Sequence, residues 1–191
     1  CGGMKLGLRC GGCNAMTLTD GRHAMLSNEM IEKLNEQITH EFYSSYLYRQ
    51  MAAWFAEQNL TVLQEYFTTH AAEEEMHATK LIDYVLKAGG HVKLGAIAAP
   101  SDTFSSPLDV MTKTLEHERG VTRKIHELMA QAEKDRDYST RSYLQWYIDE
   151  QVEEEATFGE LLALTRMAGD HLLLLEERIE KRAAKRGVAT E

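Results

Sequence analysis

Apolar residues along this chain recur at alternating steps of three and four, the spacing of one buried stripe on an α-helix, and four long stretches carry it. The first is expected to start at Ser27 or Asn28 and run to about Glu57, with Leu34, Ile38, Glu41, Ser45, Tyr48, Ala52 and Phe55 on its stripe. The second, from about Leu60 to Lys87, carries Leu63, Phe67, His70, Glu74, His77, Leu81 and Tyr84, and Gly89-Gly90 stops it. Ser106-Pro107-Leu108-Asp109 opens the third: Ser caps, Pro suits the first helical position and Asp favours the positive helix end. Its stripe reads Leu108, Met111, Leu115, Glu118, Thr122, Ile125, Met129 and Ala132. After a polar turn over 135–139, the fourth carries Thr140, Leu144, Tyr147, Gln151, Glu154, Phe158, Leu161 and Thr165. Gly169 ends it, and a shorter amphipathic helix follows from about His171 to Lys185.

Residues 88–106 carry no strong period, and a loop this long needs a reason. A helix over 60–87 is about 42 Å long, and the loop, fully extended, reaches about 60 Å. It can therefore travel the length of a bundle and start the third helix parallel to the second. The expected fold is all-α, a four-helix bundle with one long crossover loop and a short fifth C-terminal helix.

Each long helix breaks its own apolar stripe with a polar residue near its midpoint: Glu41, then Glu74 and His77, then Glu118, then Gln151 and Glu154. Helices packed side by side bring their midpoints to one level, so these six side chains are expected to converge on one small volume. Buried carboxylates without a counter-charge cost several kcal/mol each. A metal ion supplies that counter-charge, and a Glu-x-x-His pair such as Glu74–His77 projecting into a bundle is a di-iron carboxylate spacing. Oxygen donors with one imidazole and no thiolate suit iron or manganese. Glu73, four residues from His77, and Glu150, four from Glu154, offer carboxylates for a third cation site beside the pair or else stand on solvated helix faces. His70, one turn before Glu74, reads as a core histidine, the alternative being a partner that supports a metal ligand, and Tyr48 and Trp146 are the nearest oxidisable aromatics by spacing.

The formal net charge of -9 argues against nucleic acid or an anionic membrane as main partner. No run approaches the roughly 18 apolar residues of a membrane span, and the N-terminus lacks the apolar stretch of a secretory signal. All three cysteines, Cys1, Cys10 and Cys13, fall before the helical pattern begins, so the body has no disulfide frame. The expected address is cytoplasmic. Residues 1–24 are rich in glycine and aperiodic, and are expected to form a tail, disordered or non-native, ahead of one domain over 25–191. Cys10-Gly-Gly-Cys13 alone is too few ligands for a closed metal site.

Several segments together resemble the bacterial non-haem ferritins: Glu-Met-Ile-Glu-Lys-Leu-Asn-Glu-Gln at 29–37, Glu-Phe-Tyr-Ser-Ser-Tyr-Leu-Tyr at 41–48, His-Ala-Ala-Glu-Glu-Glu-Met-His at 70–77, His-Glu at 117–118 and Leu-Gln-Trp-Tyr-Ile-Asp-Glu-Gln-Val-Glu-Glu-Glu at 144–155. The resemblance implies a ferritin-like bundle with a ferroxidase centre holding one iron on Glu41, Glu74 and His77. The second iron would sit on Glu74, Glu118 and Gln151, with Glu154 nearby. A third, transit iron site would use Glu73, Glu150 and Glu154, and Tyr48 would be the tyrosine beside the centre. It further implies Fe(II) with O2 or H2O2 as substrates and a homo-oligomeric cage of 24 subunits storing the mineral. Bacterioferritins carry a second Glu-x-x-His on the fourth helix, where this chain has Gln151-x-x-Glu154, and Glu75 stands in the position of their haem-ligand methionine. No haem is expected. The alternatives are a metal-binding cage or scaffold subunit without turnover, and a di-iron oxygenase acting on an organic substrate.

Overall fold

The computed structural model describes the backbone of residues 25–188 and side chains through Lys181; the expected tail over 1–24, with its cysteine pair, lies outside the described residues. Among the described residues five helices follow one another: α1 (Asn28–Glu57), α2 (Thr61–Lys87), α3 (Pro107–Asp135), α4 (Tyr138–Ala168) and α5 (Leu172–Val188). α1 pairs with α2 and α3 with α4, each across a short turn, and α1 also packs on α3. The bundle is thus two helical hairpins laid together.

Local chemistry sets the ends. The Ser27 hydroxyl accepts from the Met30 amide, Ser106 from Asp109 with Pro107 in the first turn, and the Asp137 carboxylate from Thr140. The turn between α3 and α4 is tighter than the pattern implied. It consists of Arg136, in the left-handed region at φ 53°, and Asp137, because that conformation closes α3 in one step.

The crossover over 88–106 is strapped to α1. Asn35 Nδ2 donates to the His91 carbonyl at 2.9 Å, its Oδ1 accepts from the Lys93 amide, and Thr39 Oγ1 accepts from the Gly95 amide. Further along, the Phe104 ring meets Trp54 edge-on. Asn35 and Trp54 are about 28 Å apart along the helix, so the strap runs most of its length. A Cβ on Gly95 would lie 2.9 Å from Thr39 Oγ1, which is why a glycine sits there.

Two apolar clusters fill the bundle. One contains Tyr48, Phe55, Phe67 and Phe158 and the other Leu34, Ile38, Leu81, Ile125 and Tyr147. Between them lies a buried polar layer, at the depth where the stripes were interrupted. The α3 stripe is displaced from its expected line: Leu108 is exposed and Thr122 and Met129 are half-buried, whereas Val110, Thr114, Val121 and Leu128 are buried. α3 faces both α4 and α1, so its buried face is wider than one stripe.

α5 is docked by its acid. α2 has no side-chain cap of its own; instead Glu176 of α5, 8% exposed, accepts from the Val62 and Leu63 amides at 2.8 and 3.3 Å. A carboxylate on a helix N-terminus is worth about 1–2 kcal/mol. Glu176→Ala is therefore expected to lower the thermal midpoint by about 2–8 °C; an unchanged midpoint in a calorimetric scan would remove Glu176 as the clasp of α5.

Candidate metal centre

Four helices deliver the polar layer. Glu41 from α1, Glu74 and His77 from α2, Glu118 from α3, and Gln151 and Glu154 from α4 are all buried. One ligand atom each of Glu41, Glu74 and His77 lies within 4.8 Å of the others. On the other side, Gln151 Nε2 donates to Glu118 Oε2 at 3.2 Å, and the Tyr48 hydroxyl donates to Glu118 Oε1. The frame behind these side chains is hydrogen-bonded as well. Ser45 donates to the Ala71 carbonyl at 2.7 Å, locking α1 to α2, and Tyr147 donates to the His77 carbonyl at 2.8 Å, fixing α4 against the same turn.

The electrostatics are those of a site built for a cation. Burial lifts the Glu41 carboxyl from 4.5 to about 7, and lifts Glu154 to about 7 as well. Glu74 is driven well above its ordinary value by burial and then by the charges of Glu118 and Glu41. Glu118 is raised by burial, although Tyr48 and Gln151 hydrogen bonds oppose the shift. Burial lowers His77 to about 4, leaving a neutral imidazole, the form that binds metal. Among the described residues, Glu41 Oε2 and Glu154 Oε2 are buried yet meet no hydrogen-bond partner. Such orphaned oxygens are costly, and a cation bound there would satisfy them.

A second group adjoins the first. One ligand atom each of His70, Glu73 and Glu154 falls within 4.8 Å of the others, with His70 Nδ1 3.0 Å from Glu73 Oε2. They line a cleft of ≈ 160 Å³ that also takes in Glu150, Trp146 and His77. Glu150, expected beside Glu73 and Glu154, is in this cleft but outside the tightest cluster, where His70 stands. The cleft follows the α2–α4 seam: no Cα pair of those helices comes within 8 Å among the described residues, and side chains bridge the gap.

Two polar residues were not singled out by the sequence pattern. Gln37, 2% exposed, donates Nε2 to Glu41 Oε1 at 2.9 Å. His117 is 2.7 Å from the Ser44 hydroxyl, with its ring against Tyr43 and Tyr48. Gln37 precedes Glu41 by one turn, the spacing at which an amide supports a carboxylate, and that was its available signal.

The family model described as Ferritin-like domain matches residues 31–168. A bacterial non-heme ferritin from Campylobacter jejuni is 40% identical over 165 residues, covering 85% of this chain and 99% of the relative. One from Staphylococcus aureus is 37% identical, covering 83% and 97%. Among solved structures, a novel open pore ferritin from the hyperthermophilic archaeon Archaeoglobus fulgidus superposes with a TM-score of 0.80 at 40% identity, covering 82% of this chain and 97% of that one. With its five-helix architecture, buried carboxylate layer and matches across most of its length, the chain belongs to the ferritin family.

Proposed function

We propose that this chain is an iron-storage ferritin subunit that oxidises Fe(II) to Fe(III) with O2 or H2O2 at the buried layer and passes the product into a hollow cage. The observation that carries the reading is the convergence of five carboxylate or imidazole groups and one amide from four helices on one volume with two orphaned carboxylate oxygens. In this reading Glu41, Glu74 and His77 take one Fe(II), and Glu74, Glu118 and Gln151 take the other, with Glu154 nearby. Glu74 is the bridge. The paired sites hold both electron donors beside one oxidant, so geometry and electron-rich oxygen ligands do the chemistry. Neutral Gln151 leaves its iron less tightly held than a carboxylate would, which suits release of oxidised iron toward Glu73, Glu150 and Glu154 and onward. Tyr48 holds Glu118 in place by its hydroxyl. No haem is needed, and self-assembly into a cage of 24 subunits in the cytoplasm goes with the same reading.

Proton release accompanies cation binding, because the raised carboxyls must ionise to bind. In the metal-free protein, Glu41 and Glu154 hold protons up to about pH 7 that the unfolded chain releases near 4.5. Their contribution to stability is present below the unfolded value and is lost as pH rises through the folded value. His77 works in the opposite sense: lowered from 6.5 to about 4, it contributes above 6.5 and loses that contribution as pH falls below it. From about pH 6.5 to about pH 8 the carboxylates dominate. The thermal midpoint of the metal-free protein is therefore expected to fall over that window, and anaerobic Fe(II) is expected to reverse the slope; a flat metal-free profile would contradict the buried-carboxyl account.

Fe(II) oxidation in air, followed by absorbance, tests the activity. The parent is expected to oxidise iron well above the buffer rate, and Glu74→Ala to lose that excess while eluting at the same size. A parent no faster than buffer would leave a metal-binding scaffold without turnover. A mutant as fast as the parent would place the chemistry elsewhere.

A further inference from the structure

The two ends of a glutamine amide have nearly the same shape, yet only the oxygen binds a cation, so neighbours must decide which end of Gln151 faces the centre. Three acceptors surround its nitrogen. Gln151 Nε2 lies 3.3 Å from the Glu118 carbonyl, 3.2 Å from Glu118 Oε2 and 3.2 Å from Thr122 Oγ1. In the proposed centre the Glu118 carboxylate is committed to iron, which leaves the carbonyl and the Thr122 oxygen for the two amide protons. Of these, only the hydroxyl has a proton of its own. A threonine that spent this proton on Gln151 would draw the amide oxygen to itself and turn the N–H groups toward the iron.

Thr122 is not free to do so. Threonines on these helices bond to the carbonyl four residues back, as Thr68, Thr79, Thr112 and Thr165 do. Thr122 has the same option, with the Glu118 carbonyl at 3.1 Å, but its hydroxyl also reaches across to α4, where Glu155 Oε1 lies at 2.7 Å. Both are acceptors with no proton to return, and the nearer one is a carboxylate, the stronger of the two. Arg119 Nε stands 3.7 Å from Glu155 Oε2, placing a cation on the outer side of that carboxylate. Whichever acceptor holds it, the hydroxyl proton is directed away from Gln151. What Thr122 offers the amide is a lone pair.

We propose that Thr122, held by Glu155, is a positioning residue that turns the N–H groups of Gln151 toward α3 and so presents the amide oxygen to the second iron. The inference rests on the ligand set in the reading above, where Gln151 holds that iron. A carboxylate such as Glu41 or Glu74 presents oxygen whichever way its end is turned, whereas an amide has a wrong way round. Gln151 therefore depends on its supporting bonds more than the other ligands do. The effect is confined to one iron. The hydroxyl partners of Thr122 are Glu118, Gln151 and Glu155, and Glu41 and His77 of the first iron are not among them.

The test is anaerobic calorimetric titration of the assembled, metal-free protein with Fe(II), for the parent, Thr122→Val, Thr122→Ser, Gln151→Ala and the Thr122→Val/Gln151→Ala double variant. Valine keeps the shape of threonine and removes the acceptor, while serine keeps the hydroxyl. The parent should bind two Fe(II) per subunit. In Thr122→Val one step should weaken about fivefold, the worth of one neutral hydrogen bond, and the other should hold. The weakened step should be the one that Gln151→Ala also weakens, and Thr122→Ser should restore it. Added to Gln151→Ala, Thr122→Val should change nothing further, since no amide is left to orient; a merely structural role for Thr122 would add its own loss. Unchanged binding in Thr122→Val, an equal loss in Thr122→Ser, or a loss shared by both steps overturns the positioning role and leaves the centre standing. Two Fe(II) bound by the parent but not oxidised in air would overturn the ferroxidase reading alone, and a parent that binds no pair of Fe(II) overturns both.

Discussion

Four carboxylates buried in one layer repel one another and have lost their water, and the rest of the bundle is arranged around that cost. Without a cation the layer relieves itself by holding protons, which is why burial drives Glu41, Glu74, Glu118 and Glu154 all upward. Neighbours do part of the work: Gln37 supports Glu41, while Tyr48 and Gln151 support Glu118. What they leave unsatisfied is a pair of buried oxygens, Glu41 Oε2 and Glu154 Oε2. A core of hydrocarbon would be more stable there, so the layer is a stability cost accepted for binding.

The two apolar clusters on either side of the layer are not interchangeable. The phenylalanine side, clasped at its end by Glu176 of α5, is closely packed around the α2 N-terminus. On both sides α2 and α4 stand apart and ring contacts bridge them, Phe67 with Phe158 on the one and Tyr84 with Tyr143 on the other. The acidic cleft and these ring contacts both run in this seam, so the spacing of α2 and α4 governs both.

The sequence pattern made much of this legible, because a buried polar residue stands out against a periodic apolar stripe. Glu41, Glu74, His77, Glu118, Gln151 and Glu154 each interrupt a helix at its midpoint, and all six are buried in one layer. Gln37 escaped because it lies off the stripe, and its burial depends on how α1 meets its neighbours. His70 read as a core histidine since spacing alone does not reveal that Glu154, on another helix, reaches it. On α3 a single stripe was the wrong template: a helix with two partners buries Val110, Val121 and Leu128 as well, and helical spacing does not count partners. The tight turn at Arg136 was hidden for a related reason, since a left-handed arginine carries no glycine-like signal.

The crossover strap divides the chain into two hairpins, each rich in contacts between residues close in sequence. Local contacts form early, whereas docking one hairpin on the other must first overcome the entropy of closing the long connection. The α1–α2 hairpin carries Glu41, Glu74 and His77, and the α3–α4 hairpin carries Glu118, Gln151 and Glu154. In the proposed reading neither hairpin alone holds a complete ligand set, so affinity for a pair of cations would arise at the docking step. Iron available during synthesis would then favour the last stage of folding over its early ones, while without iron the two halves are held by their apolar clusters and by hydrogen bonds between them such as Tyr48–Glu118 and Tyr147–His77.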